Sequence, residues 1–247
     1  MSGHSKWASI KHKKAKVDAQ RGKTFTKLIK EISVAARSGG GDINANARLR
    51  SAIQAAKDAN MPASNVERAI KKGTGELPGV NYEELAYEGY GPDGVAIYVE
   101  ILTDNKNRTA AEIKHVFSKN GGHLAEAGSV AWMFEKKGLC HVKKDAASED
   151  RLMEIILDAG AEDMNTERDF YEIIANPQTF EQVKRTILDE NISLELAEIT
   201  MMPKSTVPIT GKKAEQVLHL METLEDHDDV QHVYSNFDIS DEEMEKI

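Results

Sequence analysis

Lys6, Lys11, Lys13, Lys14 and Lys16 crowd the start of the chain, with His4, His12 and Trp7 set among them. Clustered ammonium groups hold phosphate by charge and read little sequence, so their affinity falls as salt rises. Trp7 has two uses open to it, stacking on an unpaired base or covering a small helical core. Arg21, Lys23, Lys27, Lys30 and Arg37 extend the series. At about 100° per residue, Lys27, Lys30 and Arg37 fall within roughly 40° of Lys23. Phe25, Leu28, Ile29, Ile32 and Ala36 take the opposite side. This pattern predicts a helix with one face in a core and a cationic row on the other. An ordinary solvated face mixes signs, yet Asp18 and Glu31 are the only acids before Asp42. Residues 1–8 lack apolar periodicity, as do basic tails that order on an RNA surface.

Two other groupings invite chemistry. Thr103-Asp104-Asn105-Lys106-Asn107-Arg108-Thr109 stands between a predicted strand and a predicted helix. Helix N-termini attract phosphate, and Lys106 and Arg108 would make this a secondary phosphate contact. The alternative is a turn in which Asp104, Asn105 or Asn107 caps the helix. Glu225, Asp226, Asp228 and Asp229 do not have the alternating spacing of a calcium loop. They are expected to be a solvated helix end, with a protein-contact patch as the alternative. One cysteine, Cys140, allows neither an internal disulfide nor a zinc site and fits a reducing compartment. No phosphate loop, dinucleotide fingerprint or nucleophile elbow occurs, so no catalytic residue, metal or cofactor is expected.

The elements that must position these groups change character along the chain. Residues 1–75 hold 16 Lys and Arg against 5 Asp and Glu, whereas the remainder holds 16 against 36. The overall net charge of −9 hides a basic end joined to an acidic body. The basic end reads as helices: one closed by Gly39-Gly40-Gly41, one carrying Leu49, Ile53 and Ala56 after Asn44 and Asn46, and one opened by a Ser64-Asn65-Val66-Glu67 capping box. Beyond it, strands are predicted at 95–102, 130–134, 139–142, 162–166, 170–175, 194–201 and 230–235. Helices are predicted at 107–119, 148–159, 177–189 and 211–225. The order from 138 to 201 is β-α-β-β-α-β, the ferredoxin-like unit. The last helix and strand need earlier strands to pair with, which implies a split domain. The expected organisation is a basic helical domain (1–78), a discontinuous α/β domain (79–135 and 206–240), an inserted ferredoxin-like domain (136–205) and an acidic tail (241–247). The fold class is therefore α+β and multidomain. Apolar runs such as Val95 to Val99 are strand-sized, and Met1 leads into no apolar segment, so no signal peptide and no membrane partner are expected and the location is cytoplasmic.

Several motifs together resemble the YebC/PmpR family. They are Gly3-His4-Ser5-Lys6-Trp7, Ile10-Lys11-His12-Lys13-Lys14, Arg21-Gly22-Lys23, the 103–109 run, Phe117 to Gly122, Gly128-Ser129-Val130, Leu224 to Gln231 and Val233 to Phe237. They span nearly the whole chain. Ile43 and Ala47 stand where the family often has proline, and Ala125 where it often has glycine. The resemblance implies a helical domain and two α/β domains around a cleft, with no enzymatic activity. Family members are described as probable DNA-binding transcriptional regulators; mitochondrial relatives are described as translational activators, and bacterial members are linked to stalled ribosomes.

Two readings of function follow. A ribosome- or RNA-associated translation factor would project one basic end into an RNA-rich crevice and keep its acidic body clear. A DNA-binding transcriptional regulator would lay its helices in a groove, although neither a helix-turn-helix signature nor a dimer element is legible. Protein partners on the acidic α/β surfaces are compatible with either.

Overall fold

A computed structural model describes residues 18–244. The chain divides into two compact units, Trp132–Thr206 and the rest of the described residues. Among these residues no helix is long and apolar enough to cross a membrane.

The larger unit opens with three helices, α1 (Asp18–Gly39), α2 (Ala47–Asp58) and α3 (Ala63–Gly73). The apolar stripe of α1 closes on the facing stripes of α2 and α3, burying Ile32, Ala36, Leu49, Ile53, Ala56, Val66 and Ala69. A fully buried Leu or Ile contributes about 1.5–3 kcal/mol, which makes this small core the main support of the helices. Asn46 fixes the α1–α2 corner. Its carbonyl accepts from Leu49 N while its amide donates to Ala35 O and Gly40 O. Gly73 allows α3 to lie against α1, because a Cβ there would stand 2.4 Å from Ser33 O. The expected capping box at Ser64 does not form. The helix starts at Ala63, with Pro62 as N-cap, and the Pro62 carbonyl accepts from Asn65 N and Val66 N.

The same unit carries a sheet of β1 (Glu83–Tyr90), β2 (Ala96–Thr103), β3 (His123–Leu124) and β9 (Val230–Ser235), in the order β3-β1-β2-β9 and all antiparallel. Helices α4 (Lys106–Lys119) and α7 (Gly211–Glu225) supply Ile113, Phe117, Val217, Leu220 and Leu224 to its core. Strand β1 was not expected, because Glu83, Glu84 and Glu88 break its apolar alternation.

The smaller unit has β4 (Phe134–Lys143), α5 (Glu149–Ala159), β5 (Ala161–Thr166), β6 (Phe170–Ala175), α6 (Phe180–Asp189) and β7 (Leu194–Pro203). Its sheet order, β5-β6-β4-β7, is the ferredoxin-like order, antiparallel throughout. The first sheet repeats that spatial order when counted from β2, with β1 in the place that β6 holds here. After Thr206, β8 (Val207–Pro208) pairs with β10 (Phe237–Asp238), and a short helix, α8 (Asp241–Met244), follows β10.

Two predicted boundaries moved for local reasons. The strand expected at 130–134 does not form there, and only Phe134 of it is in a strand. A 3-10 turn spans Ala131–Met133, and β4 runs unbroken from Phe134 through the expected 139–142 strand. The cause is Glu88, 7% exposed, whose carboxylate takes the N–H groups of Gly128, Val130 and Ala131 at 2.7, 2.6 and 2.8 Å. Those groups are then not offered to a ladder. Helix α6 starts at Phe180 rather than 177, because Asn176 accepts from Gln178 N and Thr179 N in a turn around Pro177.

Candidate nucleic-acid interface

The cationic row of α1 is held by the chain itself. Lys23 Nζ lies 3.4 Å from Asp226 Oδ2 and donates to Asp226 O at 3.2 Å. One turn on, Lys27 Nζ donates to Glu225 O at 2.5 Å. Lys30 Nζ reaches deepest, to Asp229 Oδ1 at 2.6 Å and Asp228 O at 2.8 Å. The acceptors belong to the C-terminal end of α7 and the turn into β9. Helix C-termini carry partial negative charge, so carbonyls and carboxylates act together on the row. Helix α1 is thus sandwiched, its apolar stripe in the three-helix core and its lysines against an acidic corner.

Asp229 is the centre of the arrangement. It is 4% exposed and accepts four donors: Lys30 on one oxygen, and Thr103 Oγ1 (3.1 Å), Thr109 Oγ1 (2.7 Å) and the Arg108 guanidinium (2.7 Å) on the other. Burial pushes its carboxyl up. The hydrogen bonds from Lys30, Thr109 and Arg108 and the charge on Lys30 outweigh that and hold it well below the usual carboxylate range. The register of β2 on β9, with Leu102 N donating to Asp229 O, brings Thr103 to this acid. Tyr82 closes the other side, its ring centroid 5.6 Å from Lys30 Nζ. Burial, then the charges of Asp104 and Asp229, push the Tyr82 phenol up.

The 103–109 run serves as both cap and tether. Asn105 accepts from Arg108 N and caps α4, while the Arg108 side chain spans Asp104 and Asp229. Lys106 remains exposed, 4.0 Å from Glu83. An open cleft of about 920 Å³ lies beside this network, lined in part by Lys23, Thr26, Arg108, His115 and Asp226. Glu112, His227 and Asp229 bring three potential metal-ligand atoms together. Both Asp229 oxygens already accept donors, and His227 Nε2 is 3.0 Å from Glu112 Oε2, so these atoms are engaged with one another and with Lys30 and Arg108.

Against the sequence expectations, the placement is mixed. His4, Lys6, Trp7, Lys11, His12, Lys13, Lys14 and Lys16 lie outside the described residues, as does the side chain of Arg21. Lys23 is exposed and Lys27 half-buried. Lys30 departs from the expected solvent-facing row: at 7% exposure with Asp229 on its ammonium, it is not open to phosphate. Arg37 is exposed and donates to Val80 O. The 225–229 segment is not a solvated helix end, since Asp229 is buried and its neighbours meet α1. Sequence reasoning missed Asp229, Thr103 and Thr109 as a unit. It also passed over Arg50, Lys57, Arg68 and Lys71, exposed cations on α2 and α3 that helical periodicity alone would have placed.

Two family models match the chain, "TACO1/YebC protein N-terminal domain" over residues 5–76 and "TACO1/YebC second and third domain" over residues 82–237. The chain belongs to the TACO1/YebC family. Proteins of Syntrophobacter fumaroxidans and Natranaerobius thermophilus, each named a probable transcriptional regulatory protein, are 60% and 58% identical to it. These matches cover 100% of both chains and 99% of both chains, respectively. The crystal structure of a conserved hypothetical protein from Aquifex aeolicus, 48% identical, superposes with a TM-score of 0.81 over 92% of this chain and 94% of that one. In this TACO1/YebC chain, the helical segment and the split sheet meet through the Lys30–Asp229 hub. Arg48 adds a second tie, bonding Glu31 on α1 and Glu84 on β1.

Proposed function

We propose that this chain is a non-enzymatic, cytoplasmic regulator of gene expression that binds nucleic acid through its basic N-terminal segment, as a ribosome- or RNA-associated translation factor. The observation that carries this reading is the segregation of charge: 16 Lys and Arg against 5 acids in residues 1–75, and 16 against 36 beyond. A body with that acidic excess is repelled by a polyanion laid along it, so binding falls to one end. Lys23, Lys27 and Lys30 already have partners inside the chain. Lys6, Lys11, Lys13, Lys14 and Lys16 are therefore the first candidates for phosphate, and Trp7 for a base.

A DNA-binding transcriptional regulator is the second reading, favoured by the names of the relatives. Binding of the full chain to labelled ribosomal RNA fragments and to promoter duplexes, at physiological salt, separates the two. The translation reading expects tighter binding to RNA. Removing residues 2–20 should then flatten the salt slope by about 0.7 for each single-strand phosphate that is no longer neutralised. Sequence-specific duplex binding with no preference for RNA would replace it with the transcription reading.

A further inference from the structure

We propose that the lysine row of α1 is itself a polyanion-binding surface, occupied in this structure by the acidic corner at 225–229, and that an RNA phosphate backbone takes its rim lysines over from that corner. This rests on the nucleic-acid reading above and assigns it a second binding surface with built-in competition.

The corner offers the row the groups a phosphate backbone would offer. Backbone carbonyls of Glu225, Asp226 and Asp228 and carboxylates of Asp226 and Asp229 are spaced along three lysines on successive turns of one helix face. The grip is graded. At the rim, the Lys23 and Asp226 side chains are 46% and 59% exposed, and pairs of that kind are weak and screened by salt. At the root, Lys30 and Asp229 are 9% and 5% exposed. Rim pairs exchange readily with another anion while the root keeps the two parts joined. The cleft beside the rim carries Thr26, Arg108 and His115 together with Asp104, Glu112 and Asp228, so the phosphate contacts are those of the row itself. The row also continues, in sequence, the lysine cluster at 6–16, which makes RNA the occupant rather than an acidic peptide.

The test uses the full chain and a fluorescein-labelled single-stranded RNA oligonucleotide. Asp226→Asn with Asp228→Asn removes two exposed carboxylates and leaves Asp229 in place. Affinity at physiological salt is expected to rise roughly 2- to 5-fold, the size of the one screened Lys23–Asp226 ion pair with a neighbouring charge removed beside it. Adding Lys23→Gln and Lys27→Gln is expected to abolish the gain. Unchanged affinity in the Asn variant overturns the proposal, as does a gain that survives removal of the two lysines, which would assign it to net charge alone. Wild-type binding with no gain leaves the nucleic-acid reading standing; absence of binding by every form removes that reading and this proposal with it.

Discussion

Replacing Asp229 with alanine is expected to lower the stability of the larger unit by about 3–5 kcal/mol, the usual cost of leaving a buried charge without its partner. Lys30 would keep its ammonium in a site that is 7% exposed, and Thr103 and Thr109 would lose their shared acceptor. Lys30→Met should cost less, because Asp229 keeps Arg108 and both threonines. The double variant should fall short of the sum by about 1–3 kcal/mol, the coupling of residues in one network. Urea unfolding of the four proteins measures this directly; additive losses would show that the pair is not coupled. The same acid sets a pH dependence. Its folded pKa lies below the unfolded value of about 3.9, so its stabilisation is complete above roughly pH 5 and is lost as pH falls toward the folded value. Wild-type stability should therefore fall more steeply than that of the Asp229→Ala protein on acidification below about pH 5.

Glu88→Ala should have the next largest effect. One carboxylate satisfies three backbone N–H groups, and each buried donor left unpaired costs about 1–3 kcal/mol. Burial pushes the Glu88 carboxyl up and those three bonds bring it below its ordinary value, so the charged form is the one that organises the turn. Val130 is the buried donor of the three, while Gly128 and Ala131 can turn to water, so the expected loss is roughly 1–3 kcal/mol. Glutamine should restore only part of it, since its NH2 faces donors. Native-state hydrogen exchange should show protection falling at Gly128, Val130 and Ala131 before the β1–β2 ladder is affected. Uniform loss across the sheet, or none, would contradict this role for Glu88.

These two acids mark the limit of what could be read from the residues in order. The three helices, the β-α-β-β-α-β order and the returning final strand were legible because apolar periodicity and glycine punctuation report a single buried face. The face opposite Phe25 and Ile32 was correctly read as cationic, yet the pattern cannot say what covers it. A lysine against solvent and a lysine against a buried carboxylate look identical on a helical wheel. Asp229 stands in an acidic run that resembles a solvated helix end, and only the pairing of β9 with β2 brings it to Thr103 and Thr109. Strand β1 was illegible for the same reason: Glu88 occupies an inward position because Gly128, Val130 and Ala131, some 40 residues away, bond to it. Long-range partners legitimise polar residues that local pattern treats as breaks.

Sedimentation of cell lysate through a density gradient, comparing the intact protein with one lacking residues 2–20, tests the central claim most directly. The account predicts that the intact protein travels with ribosomes, that the truncated one stays near the top, and that added salt moves the former toward the latter. Ribosome association unchanged by the truncation would contradict an N-terminal anchor, and absence of the intact protein from ribosomal fractions would contradict the translation reading itself.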